Sequence, residues 1–139
     1  MLKEIKHQDN TIAIIIYAGY HNEGITFFTP DEFSQQLAYM NRPEGYRIDP
    51  HIHRKVDRKV QLTQEVLFVK RGKVKVDFYT NNKEYIQSQI LTAGDVILLA
   101  SGGHGLTMLE ESEIIEVKQG PYAGEKDKEI FEPSYDPGK

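Results

Sequence analysis

The stretch Glu65-Val66-Leu67-Phe68-Val69-Lys70-Arg71-Gly72-Lys73-Val74-Lys75-Val76-Asp77-Phe78 decides the fold class. Residues 65–69 form a short apolar run, the pattern of a strand buried on both faces. Residues 73–78 alternate polar with apolar side chains, the period-2 signature of a strand with one buried face. Arg71-Gly72 lies between them as a turn. Working outward, residues 85–91, 95–100, 106–109 and 113–118 repeat the strand signal. They are separated by Asn81-Asn82, Ala93-Gly94, Ser101-Gly102-Gly103 and Glu110-Glu111-Ser112. Upstream, residues 11–17 are rich in β-branched side chains. Short strands at this regular spacing predict an antiparallel barrel or sandwich.

One segment breaks the pattern. Pro30 follows Thr29, Asp31 and Glu32 come next, and Phe33, Leu37 and Met40 fall at i, i+4 and i+7. This spacing predicts one short helix covering a side of the sheet. From Gly120 onward, Pro121, Pro133, Pro137 and many charges predict a surface tail, with Tyr122, Phe131 and Tyr135 as anchors.

The chain has 139 residues, which predicts a single domain. Residues 1–44 would hold N-terminal strands and the short helix, about 45–118 the barrel core, and 119–139 the tail. A composition of 39% hydrophobic and 27% charged residues fits a globular protein and excludes a disordered one. The net charge of −4 argues against nucleic acid or an anionic membrane as partner. No cysteine is present, so disulfides, thiolate ligands and Cys nucleophiles are excluded, and a cytoplasmic location is expected. The most apolar stretch, residues 12–18, is far short of the ~20 residues that span a bilayer. Because an apolar N-terminal strand at a sheet edge has to be covered, it predicts a homodimer.

The chemistry-bearing residues begin with His51-Ile52-His53. On a strand, both rings would point to one face with Cα atoms about 7 Å apart and converge on one ion or substrate. A solvated surface loop is the plain alternative. Glu65 opens an apolar strand, where a carboxylate needs a cationic partner; Arg58 or Lys59 would serve in a rim salt bridge. His104 sits in Ser101-Gly102-Gly103-His104-Gly105, where flanking glycines let the ring turn inward.

In these residues the sequence resembles the cupin superfamily of small double-stranded β-helix barrels, also described as jelly rolls. Gly45, five residues on His51-Ile52-His53, then Glu65 and Gly72 resemble the family's first motif. Gly94, Gly102 and His104 resemble the second. The resemblance implies that His51, His53, Glu65 and His104 bind one divalent metal ion, and imidazole with carboxylate suits Fe, Mn, Ni, Co or Zn. The chain departs from the family pattern in four places. Eleven residues, 54–64, separate His53 from Glu65 where the family has three or four, leaving open a site of three histidines. Ala100 replaces a proline, one residue rather than two precedes His104, and Met108 replaces an asparagine.

Strand parity extends the site to a pocket for a small-molecule ligand. Arg47 and Asp49 share a side with the His pair, Gln61, Thr63, Leu67 and Val69 share one with Glu65, and Leu106 and Met108 share one with His104. Arg47, Gln61, Thr63 and Met108 are the expected substrate contacts, Arg47 holding a carboxylate or phosphate. The run Arg54-Lys55-Val56-Asp57-Arg58-Lys59 is read first as a solvated turn, with the alternative that it steers an anionic substrate, such as a sugar nucleotide, toward the metal. The function expected is metal-dependent chemistry on a small oxygenated, sugar- or carboxylate-type molecule. Two alternatives stay open: a metal-free sugar-nucleotide isomerase or epimerase using the His pair as acid and base, and a non-catalytic ligand-binding module.

Overall fold

In the computed structural model, which describes residues 1–133, the chain is built from antiparallel strands. These are β1 (Leu2–His7), β2 (Asn10–Ile16), β3 (Gly24–Phe27), β4 (Ala38–Asn41), β5 (Glu65–Arg71), β6 (Lys73–Tyr79), β7 (Tyr85–Thr92), β8 (Val96–Leu99), β9 (Gly103–Met108) and β10 (Glu113–Lys118). The described helical content is one 3₁₀ turn, Gly124–Asp127, and no described helix is long and apolar enough to cross a membrane.

The strands form a five-stranded sheet in the order β1-β2-β8-β5-β10, a three-stranded sheet β7-β6-β9, and a two-stranded ribbon β3-β4. The strands β5 and β6 are consecutive but belong to different sheets, so Gly72 carries the chain from one to the other. Its φ of +101° is left-handed, and an added Cβ would run into Ser112 and the backbone of Glu111. Glycine is required there.

One hydrophobic core joins the two larger sheets. Ile5, Ala13, Ile15, Leu67, Val69, Ile97 and Leu99 from the larger sheet meet Val74, Val76, Phe78 and Leu91 from the smaller. Alternation explains β6, whose Val74, Val76 and Phe78 are all fully buried. The strand β2 is buried on both faces, with Ile14 and Ile16 covered opposite Ala13 and Ile15, which accounts for its unbroken apolar run.

Several sequence expectations are corrected. The segment holding Pro30, Phe33 and Leu37 is not a helix; it forms turns, and Met40 belongs to β4, paired with Ile25. Residues 11–17 are not a sheet edge, since β2 is bonded to β1 on one side and β8 on the other. The edge-covering reason for a homodimer therefore falls. His51 and His53 are not on a strand, and residues 46–61 contain no strand, turn or bend. The N-terminal strands β1 and β2 are part of the main sheet. No sheet closes on itself into a barrel among the described residues: β10 ends one sheet and β9 ends another. In the tail, Phe131 packs edge-on against Tyr79 with ring centroids 5.3 Å apart, whereas Tyr122 is 87% exposed. The expectations for Tyr135 and Pro137 lie outside the described residues.

Candidate functional site

Two sheets meet at Glu65 and His104. Glu65 opens β5 opposite Leu99 of β8 and Lys118 of β10. It shares the inward face with Leu67 and Val69, both in the core. His104 lies on β9 opposite Phe78 of β6, a fully buried residue, so the imidazole also points inward. His104 Nε2 and Glu65 Oε1 are 2.8 Å apart, with side-chain exposures of 29% and 17%. That is hydrogen-bond distance.

The partner makes this half-buried carboxylate tolerable. The hydrogen bond from His104 holds the Glu65 carboxyl down at about 2, against the opposing effect of burial. Glu116, on the same inner side of β10, is pushed the other way. A hydrogen bond with Glu65, then burial and repulsion from that carboxylate, raise it. Lys118 Nζ lies 3.9 Å from Glu116 Oε1. The site is therefore an ionised carboxylate bonded to an imidazole, with a second carboxyl, shifted upward by its neighbour, and the Lys118 ammonium at its rim.

His51 and His53 stand apart, on an exposed segment. Their rings are 5.1 Å apart, centroid to centroid. His51 Nδ1 is 2.8 Å from the Asp49 carbonyl oxygen; donation to that oxygen leaves Nε2 free, the second hydrogen bond that a ligating histidine needs. Among the described residues, no three His, Asp or Glu side chains are gathered as a metal cage. The Glu65–His104 contact is a hydrogen bond; two donors each about 2.1 Å from an ion at right angles, as in octahedral coordination, would be about 3 Å apart as well.

The expected substrate contacts do not converge. Arg47 is exposed and its Nε bonds Asp49 Oδ1 at 3.1 Å. Thr63 bonds Asp127 and lines a cavity of about 200 Å³ with Lys118, Tyr122 and Lys128. Gln61 lines a different cavity, of about 450 Å³, with Thr11, Phe33 and Ala100. Met108 is 49% exposed on β9, on the His104 side of that strand as parity requires. Glu116 and Lys118 went unremarked in the sequence, although two charged residues on one parity of a strand that also carries Ile115 and Val117 on the other were the available signal. Comparison with known proteins finds no family model, curated protein or solved structure that matches the chain.

Proposed function

We propose that this chain is a single-domain protein of the cupin type, a double-stranded β-helix in architecture, holding one divalent metal ion. Glu65 and His104 supply two donors and His51 and His53 the others. The observation that carries this reading is the 2.8 Å contact between Glu65 Oε1 and His104 Nε2, made across two sheets by inward-facing side chains. When bound, such an ion supplies Lewis acidity to an oxygen of the substrate. Glu65 contributes the negative charge that retains the cation. Lys118, paired with Glu65 across β5 and β10, supplies the positive charge that orients a small oxygenated molecule of the carboxylate or sugar type. Fold analogy does not fix the reaction.

A second reading draws on the same contact. A carboxylate that accepts a hydrogen bond from an imidazole orients that ring as an acid or base, so Glu65 and His104 would move a substrate proton without metal. Retention of metal separates the two. Protein loaded with Fe, Mn, Ni, Co or Zn and dialysed is expected to keep about one equivalent, and Glu65→Gln and His104→Ala to lose most of it. Equal retention by all three proteins contradicts the metal reading and leaves the acid–base pair.

A further inference from the structure

Every residue from 42 to 63 is exposed. Within this arm Tyr46, Ile48, Ile52, Val56, Val60 and Leu62 occupy even positions, while every odd position from Arg47 to Thr63 is polar or charged. That is the period of a strand with one buried face, yet residues 46–61 have no strand partner. Pro50, Arg54 and Arg58 interrupt the even series, and proline is at home in an edge strand bonded on one side only. Ordering a residue costs about 1–2 kcal/mol of backbone entropy. An arm that leaves Ile52 90% exposed and Leu62 62% exposed recovers little of that cost by itself.

The strand β10 offers a matching edge, since it ends the five-stranded sheet. On its outer face Ile115 and Val117 are 52% and 55% exposed and lie opposite Phe68 and Val66, forming an uncovered apolar strip. On its inner face Glu116 and Lys118 flank Glu65. A strand laid along β10 with Ile48, Ile52 and Val56 extending the outer strip puts His51 and His53 on the inner face, toward Glu65 and His104, because side chains alternate.

Next to Thr63 the arm leads away from its own β10: residues 59–62 line a cavity with Thr11 of β2 and with Ala100, which follows β8. In the order β2-β8-β5-β10 these lie two to three strands from β10, about 10–14 Å at about 4.8 Å per strand. Charge points outward as well. Residues 46–63 hold five basic and two acidic side chains, a net +3 in a chain of net −4, which leaves −7 on the rest. A basic arm is attracted to the acidic body of another copy.

We infer that the arm of one copy pairs with β10 of a second copy, and the second copy's arm with β10 of the first, so that each metal site takes His51 and His53 from its neighbour. The roles of the two histidines rest on the metal reading above, whereas the strand pairing does not. The absence of cysteine makes the pairing directly readable. Two full-length variants distinguished by a tag, Ile52→Cys in one and Val117→Cys in the other, are mixed and oxidised. Paired strands bring such residues within disulfide reach, so a mixed disulfide is expected, several-fold above that between Ile52→Cys and a control Lys3→Cys on β1. Light scattering should give twice the 16.0 kDa of one chain. Ile115→Cys repeats the test should Val117→Cys not fold. A monomer, a dimer without the bond, a bond closing within one doubly substituted chain, or an arm protected from protease only by an added anionic polymer such as heparin would each overturn the inference. Bond formation by a protein that retains no metal would keep the strand exchange and remove the metal reading.

Discussion

Glu65 occupies a position where burial favours the protonated acid, and the hydrogen bond from His104 reverses that preference, taking the carboxyl down to about 2. A group whose pKa is lower folded than unfolded stabilises the fold above its ordinary range, near 4.3, and that contribution is lost as pH falls from there toward 2. At about 1.4 kcal/mol per pH unit the contribution is on the order of 1–3 kcal/mol; the raised carboxyl of Glu116 opposes part of it. Metal-free Glu65→Gln is therefore expected to unfold at a lower temperature than wild type at neutral pH, the two converging near pH 2–3. Parallel melting curves across that range would show that the pair stabilises nothing. The legibility of this site follows from register. Glu65 and His104 were readable because each sits on a strand bounded at one end by a turn glycine, Gly72 and Gly102, and β5 and β9 fix where both side chains point. His51 and His53 share the motif's spacing but lack a pairing partner in their own chain, so the sequence named the residues without placing them.

Elements differ in how much of their pairing is local. The strands β5 to β8 and β10 were legible because their alternation or apolar runs report burial directly. The segment with Pro30, Phe33 and Leu37 carried a helical spacing that the chain does not use. There the Gln36 amide donates to the carbonyl oxygens of Pro30 and Phe33, at 2.9 and 2.8 Å. Side-chain bonds of this kind compete with a helical ladder, and β3 then takes residues 38–41 as a strand partner. The segment is held to the sheet by Gln64, 5% exposed, whose Oε1 accepts from Gln35 N at 3.1 Å and Ser34 Oγ at 3.3 Å while Nε2 donates to the Ala100 carbonyl at 3.4 Å. Gln64→Ala leaves these groups unpaired and is expected to cost about 1–3 kcal/mol, read as a lower denaturant midpoint with an unchanged slope. An unchanged midpoint would mean that the segment is not held through this side chain.

At the scale of the whole molecule, two sheets share one core and meet at a carboxylate–imidazole pair, while a basic arm with the pattern of a strand stands outside. The arm's alternation was present in the sequence; its lack of a partner within the chain was not, because period-2 patterning reports that a strand will be half-buried without saying against what. If the pair belongs to the proposed metal site, binding of the ion must respond to pH. Protons compete with a metal for imidazole and carboxylate donors, so affinity falls on acidification, and an ion that binds only the folded chain stabilises it according to its concentration relative to its dissociation constant. The most direct measurement compares thermal unfolding of metal-loaded and chelator-treated protein at about pH 7.5 and about pH 5. A wide difference in midpoint at the higher pH that narrows at the lower is the predicted result; identical midpoints with and without metal at both pH values would contradict it.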